Sequence, residues 1–180
     1  MSAATDFINK HKESVIQATK GTKLFPSVKM AQMIIESGWG KSANAKLANN
    51  FFGIKKGTGW KGQTIVLNTP KDGKPVSTFR KYATVLDSVK DHSDFLIKNK
   101  RYENNGVFAA TTPEQQVHAI FKAGYAEGVK YETNLNNLIR QYNLKELDKA
   151  SLTVVKKNNL FPVVIIAVAI GLIYYGTKKN

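Results

Sequence analysis

The chain has 180 residues, enough for one compact domain and a short appendage. Hydrophobic residues make up 42% and charged residues 22%, proportions of a globular protein that exclude wholesale disorder. There is no cysteine, which excludes disulfides, thiolate metal sites and thiol nucleophiles and leaves the redox compartment open.

The formal net charge of +14 indicates a polyanionic partner or a charged, soluble surface. Three of the 27 basic residues are arginines and the other 24 are lysines. Sequence-reading nucleic-acid sites depend on arginine for bidentate base contacts. The basic residues also neither cluster nor alternate with aromatic residues on one helix. The sequence therefore predicts no nucleic-acid partner and favours an anionic membrane or a cell envelope.

Helical patterns dominate residues 1–147. An apolar stripe predicts a first helix between Phe7 and Ala18, and a second begins just after Pro26 and stops at Gly38. Capping boxes predict helices after Thr84 and Thr112, and a last helix covers roughly residues 130–142.

One β region interrupts these helices. Residues 64–67 and 76–79 are rich in β-branched and aromatic side chains, and the turn sequence Pro-Lys-Asp-Gly-Lys-Pro separates them. This pattern predicts a hairpin. The expected fold class is therefore α+β, mainly helical with a small β-hairpin lobe.

A long apolar run lies near the C-terminus. Residues 160–175 read LFPVVIIAVAIGLIYY without a charge, which as a helix spans about 24 Å of a hydrocarbon core about 30 Å thick. Lysine pairs bracket the run, and two tyrosines close it at headgroup level. The pattern predicts a linker over 148–158 and one transmembrane helix over 159–177, with a buried core helix as the alternative. The balanced lysines assign no orientation.

Metal and cofactor chemistry is not indicated. His11, His92 and His118 lie far apart and none has a histidine partner four residues on, so each is expected to be an ordinary polar helix residue. There is no phosphate loop, dinucleotide fingerprint or nucleophile elbow. The sequence predicts no metal and no cofactor.

Glu36 is the strongest candidate for a catalytic residue. An apolar helix delivers this lone carboxylate in its last turn, and the corner Gly38-Trp39-Gly40 ends the helix. The negative end of the helix dipole and the apolar Ile35 and Trp39 are both expected to raise the pKa of Glu36. A glutamic acid that stays protonated near neutrality is what a glycosidase needs. The alternative is an ordinary surface glutamate.

The stretch AQMIIESGWGKSANAKLANNFFGIKKGTGW resembles the signature of the bacterial glucosaminidases of glycoside hydrolase family 73, relatives of lysozyme and lytic transglycosylases. The resemblance continues through residues 79–82, 91–92 and 123–126 and so covers most of residues 5–142. It implies a lysozyme-like fold, a groove for alternating amino sugars, and Glu36 as general acid.

The resemblance also implies roles for other residues. Tyr125 matches a tyrosine beside the scissile bond. A further set is expected to bind substrate: Trp39, Asn50, Phe52, Gly53, Trp60 and Tyr82. Two of these have packing alternatives, because Phe52 is also suited to a core and Trp39 to the corner behind Glu36.

One departure from the family pattern concerns the second acid. Family members usually carry a second acidic residue in the β lobe, where this chain reads Asn-Thr-Pro-Lys over residues 68–71. Asp72 is the only carboxylate nearby, and its alternative is a plain turn residue. A single catalytic glutamate is therefore expected. The substrate's own acetamido group or 6-hydroxyl would then close on the anomeric carbon.

These features predict a peptidoglycan hydrolase that cuts the β-1,4 glycan strand as an endo-β-N-acetylglucosaminidase. The close alternative is a muramidase or a lytic transglycosylase giving anhydro products. The alternative that is not an enzyme is a catalytically inactive wall-binding or structural membrane protein. The sequence does not determine the oligomeric state.

The N-terminal MSAATDF has no basic region and no apolar segment after it, so no secretory signal is expected. With a C-terminal anchor alone, the domain would remain in the cytoplasm, away from peptidoglycan. This suggests a virus component placed in a virion's internal membrane, or a lysis protein of the host cell envelope that is released when the inner membrane fails.

Overall fold

A computed structural model describes residues 2–67, 77–128 and 130–149. Among these residues the elements follow in the order α1 (Ala3–Thr19), α2 (Pro26–Ser37), α3 (Ala43–Ala48), β1 (Thr64–Val66), β2 (Thr78–Arg80), α4 (Val85–Lys98), α5 (Lys100–Asn104), α6 (Pro113–Lys122) and α7 (Tyr131–Gln141).

Helix α2 lies at the centre of the helical body. It packs against α1, α6 and α7, and most of its residues are buried. Pro26 begins the helix, where the missing N–H needs no partner. Gly38 ends it in the left-handed conformation, and its N–H bonds to the carbonyls of the last turn. The central helix therefore stops at a fixed point, directly after Glu36 and Ser37.

The β lobe is a two-stranded antiparallel sheet with a third segment along its edge. Thr64 pairs with Arg80, and Val66 pairs with Thr78. On the other side of β2, Lys56 N–H donates to the Thr78 carbonyl (2.9 Å) and Arg80 N–H donates to the Ile54 carbonyl (3.0 Å). These bonds hold the segment around residues 54–56 beside Arg80, which matters for the site below.

The predicted α+β class, mainly helical with a small hairpin, is confirmed, and so are the long helices in their predicted order. The capping box at Thr84 is present with both of its hydrogen bonds. At the second box, Thr112 caps α6 as predicted, but the Gln115 side chain reaches the N–H of Thr111 instead of Thr112. The short helices α3 and α5 were not predicted, because one turn or so of helix leaves no apolar periodicity.

Several predicted features lie outside the described residues. These are the hairpin turn with Asp72, nearly all of the linker, and the apolar run at 159–177. Within the part of the chain that the structure describes, no helix is both long and apolar enough to cross a bilayer.

Candidate active site

A cleft of about 430 Å³ opens between the helical body and the β lobe. Four of the residues predicted for the site line it together: Glu36, Phe52, Gly53 and Tyr125. Others on its walls include Arg80, His92, Arg101 and Tyr102. The prediction therefore located the cleft, although the roles of these residues remain predictions.

Glu36 reaches the cleft from the last turn of α2. The Tyr131 hydroxyl donates to its Oε1 (3.2 Å), and Gln32 Nε2 donates to the same tyrosine oxygen (3.3 Å). Burial raises the pKa of the Glu36 carboxyl, and the bond from Tyr131 opposes part of that rise. Because Oε1 accepts from Tyr131, protonation of the carboxyl would place the acidic proton on Oε2. The residue can thus serve as a proton donor.

The Gly38-Trp39-Gly40 corner does not contribute Trp39 to this cleft. All three residues adopt positive φ angles of 55°, 59° and 73°. A Cβ at Gly40 would come within 3.0 Å of the Phe7 ring, so glycine is required there. The turn directs Trp39 away from the cleft walls, onto Phe7 (5.7 Å between ring centroids) and Tyr142 (5.2 Å). Trp39 is thus absent from the walls of this cleft, and its expected sugar contact and its desolvation of Glu36 stay predictions. The packing alternative describes its position.

Asn50 was expected to line the groove, but it lies beneath it. Its side chain is fully buried. Its Nδ2 donates to the carbonyls of Ile54 and Arg80 (both 2.9 Å), and its Oδ1 accepts from the N–H of Ile54 (2.9 Å). These three bonds close the loop that presents Phe52 and Gly53 and attach it to β2. Asn50 thus shapes the cleft from behind.

Phe52 and Tyr125 are linked through His92, for which the sequence predicts only an ordinary polar helix residue. The imidazole stacks in parallel on the Phe52 ring (3.9 Å, 1°). Its Nε2 lies 2.8 Å from the Tyr125 hydroxyl. Tyr125 in turn packs against Tyr131 (5.7 Å). The only sequence signal was that Asp91-His92 fell within the family resemblance.

Tyr82 and Trp60 also lie outside the cleft walls. Tyr82 is buried and donates to Asp91 (2.6 Å). Asp91 also accepts two bonds from Arg80 Nη1 (2.8 and 2.7 Å). Trp60 contacts the Arg80 guanidinium (4.7 Å to the ring centroid) and the Tyr82 ring (5.6 Å). Both aromatic residues therefore help to hold Arg80 in place, and the substrate contacts expected of them stay predictions.

The charges around the cleft are unevenly distributed. Glu36 is the only acidic residue among the described ones that line it, whereas Lys55, Arg80 and Arg101 supply cations. Asp91 is engaged by Arg80 and Tyr82. The arrangement suits a substrate with anionic groups and a reaction that needs one carboxyl proton.

Replacing Tyr131 with phenylalanine is expected to raise the pKa of Glu36 further. The hydroxyl stabilises the charged carboxylate, so its loss favours the neutral acid. Titration of the ¹³C-labelled glutamate carboxyl by NMR measures this change. Tyr142→Phe, at the end of the same helix, is the control and should leave the Glu36 pKa unchanged. An unaltered or lower Glu36 pKa in Tyr131→Phe would contradict the hydrogen bond.

A glutamic acid with a raised pKa at the end of a buried central helix, facing a cleft beside a small β lobe, is the arrangement of a lysozyme-like glycoside hydrolase. The sequence comparison narrows this class. The chain belongs to the glucosaminidase family, since residues 12–144 match the family described as "Mannosyl-glycoprotein endo-beta-N-acetylglucosaminidase".

Characterised relatives are similar over much of the chain. It is 30% identical over 138 residues to the exo-glucosaminidase LytG of Bacillus subtilis, covering 71% of this chain and 48% of LytG. It is 34% identical over 134 residues to the peptidoglycan hydrolase FlgJ of Escherichia coli K12, covering 69% of this chain and 42% of FlgJ. The chain thus spans less than half the length of these two relatives.

Solved structures agree with the fold. The glycoside hydrolase domain of Salmonella typhimurium FlgJ superposes with a TM-score of 0.69 at 28% identity, covering 89% of this chain and all of that one. The catalytic domain of the Listeria monocytogenes autolysin Auto gives a TM-score of 0.69 at 29% identity, covering 82% and 89%.

Proposed function

We propose that this protein cleaves the β-1,4 glycan strands of peptidoglycan after N-acetylglucosamine, as an endo-β-N-acetylglucosaminidase. The observation that carries the proposal is Glu36, which lies half-buried at the cleft and accepts a hydrogen bond from Tyr131 at Oε1. Burial also raises the pKa of its carboxyl. The family membership and the peptidoglycan-hydrolase relatives support the choice of substrate. Lys55 and Arg101 at the cleft also suit the carboxylates of peptidoglycan stem peptides.

In the first step, Glu36 gives its proton to the glycosidic oxygen as the bond from this oxygen to C1 breaks. The acetamido carbonyl oxygen of the same sugar closes on C1 and takes the place of a protein nucleophile. In the second step, the Glu36 carboxylate takes a proton from water, and the water oxygen attacks C1 and reopens the ring. One carboxyl that alternates between acid and base completes the cycle.

A second route also needs only one protein carboxylate. If the 6-hydroxyl of a muramic sugar attacks C1 in place of water, Glu36 takes the hydroxyl proton and the product is an anhydro sugar. Glu36 as the only acid among the described cleft-lining residues is compatible with both routes. The identity of the product therefore distinguishes them.

Digestion of purified peptidoglycan followed by mass spectrometry of the fragments tests the proposal. We expect fragments that end in a reducing N-acetylglucosamine. Ends at muramic acid would indicate a muramidase, and fragments lighter by one water would indicate the transglycosylase route. Binding to peptidoglycan without any new ends would overturn the proposal in favour of an inactive wall-binding protein.

We propose further that residues 159–177 fasten the enzyme to a lipid bilayer, either the internal membrane of a virion or the host cell envelope. The uncharged apolar run and its flanking lysines support this assignment. The full chain should float with phosphatidylglycerol-containing vesicles in a density gradient at high salt, whereas a chain ending at residue 158 should remain at the bottom. Equal flotation of both would contradict the anchor. Detection in purified lipid-containing particles would assign it to the virion, and detection in host membranes alone to the envelope.

A further inference from the structure

A chain of three polar side chains runs from the protein interior to the cleft. Lys29 Nζ lies 2.6 Å from His92 Nδ1, and His92 Nε2 lies 2.8 Å from the Tyr125 hydroxyl. Lys29 and His92 are each only 1% exposed. The three residues come from α2, from α4 and from the segment after α6, so the tertiary fold alone brings them together.

Lys29 is unusual because a buried lysine costs stability unless its charge is paired. No carboxylate pairs with it among the described residues, and its one described hydrogen bond is to His92. Its nitrogen also lies over the Phe52 ring, 5.6 Å from the ring centroid. Burial lowers the pKa of Lys29 well below its ordinary value. An apolar residue would suit this position better for stability, so packing alone does not account for a lysine there.

The chemistry of lysine fixes the direction in which these hydrogen bonds are donated, from Lys29 to His92 and from His92 to Tyr125. The nitrogen carries hydrogens in both its charged and its neutral form, and His92 Nδ1 is the acceptor in reach. An imidazole that accepts at Nδ1 carries its proton on Nε2 when neutral. Burial, together with the nearby Lys29, lowers the pKa of His92 and keeps it neutral. The Nε2–H then donates to the Tyr125 oxygen.

The hydroxyl proton of Tyr125 is consequently not used in the bond to His92. Burial raises the pKa of Tyr125 well above its ordinary value, so this proton is retained. Tyr125 lines the cleft with Glu36. We propose that Lys29 and His92 are positioning residues that fix the Tyr125 hydroxyl as a hydrogen-bond donor to a substrate oxygen at the Glu36 cleft. This inference rests on the proposed function, because it assigns the donor to the bound glycan.

The test uses the full 180-residue chain with Lys29→Met, Tyr125→Phe and the double variant, assayed on purified peptidoglycan. Loss of one directed hydrogen bond predicts a fall in kcat of about tenfold for each single variant. The double variant should be no slower than Tyr125→Phe, since Lys29 acts only through Tyr125. Lys10→Met, on the exposed surface of α1, is the control and should retain wild-type kcat.

Two results would overturn the inference. One is an unchanged kcat in Lys29→Met, or losses that multiply in the double variant, while the wild type cleaves peptidoglycan. The other needs no variant. ¹⁵N NMR of His92 in the wild type should show a protonated Nε2 and an unprotonated Nδ1. The opposite tautomer would reverse the direction of both hydrogen bonds. A wild type that leaves peptidoglycan intact would instead overturn the proposed function, and the NMR result would still decide the hydrogen-bond direction.

Discussion

Glu36→Gln is expected to lower kcat on peptidoglycan by about 10³-fold or more, because glutamine cannot donate an acidic proton to the leaving oxygen. The substitution keeps the shape of the side chain and an oxygen that accepts from Tyr131. Substrate binding should therefore persist. A zymogram gives the qualitative result, and release of reducing ends gives the rate.

The same variant should be more stable than the wild type near neutral pH. Burial raises the pKa of Glu36 in the folded protein above its unfolded value, so the ionised carboxylate opposes folding once the pH exceeds the folded-state pKa. Below the unfolded pKa both states are neutral, and the advantage of glutamine should vanish. Melting temperatures measured across this window check the sign.

Glu13→Gln provides a matched control for Glu36→Gln, since Glu13 is exposed on α1. It should match the wild type in rate and in melting temperature near neutral pH. If Glu36→Gln cleared peptidoglycan at the wild-type rate, Glu36 would not be the acid. If it were instead inactive and markedly less stable, loss of the fold would account for the result.

The part of the site that could be predicted from sequence is the part encoded locally. Pro26 and Gly38 mark the ends of α2, so the position of Glu36 in its last turn follows from neighbouring residues. Phe52 and Gly53 were assigned by the family resemblance, and they do line the cleft. In these cases the chain brings the residue and its context together within a few positions.

The rest depended on contacts between distant segments. Tyr131 meets Glu36 across 95 positions, and His92 meets Lys29 across 63. One signal for Lys29 was present: Lys29, Gln32 and Glu36 recur at helical spacing on one face of an otherwise apolar helix. The direction of the Trp39 side chain could not be predicted from its neighbours in sequence, because it depends on a left-handed turn that residue type alone does not specify.

The second large effect is expected at Asn50. Asn50→Ala should lower the free energy of unfolding by about 3 kcal/mol, since it removes three hydrogen bonds of a buried side chain and leaves backbone groups of Ile54 and Arg80 without that partner. Asn50→Asp should be at least as damaging at neutral pH, because a carboxylate oxygen would then face two carbonyl oxygens. Urea unfolding of the variants measures both changes.

The comparison with Asn137→Ala isolates this effect. Asn137 is exposed on α7, where alanine favours the helix, so its replacement should leave stability near the wild-type value. Asn50→Ala should also lose activity, because the loop carrying Phe52 and Gly53 is no longer attached to β2. A variant of Asn50 with wild-type stability and a raised KM alone would contradict this account. It would return Asn50 to the sugar-binding role that the family resemblance implied.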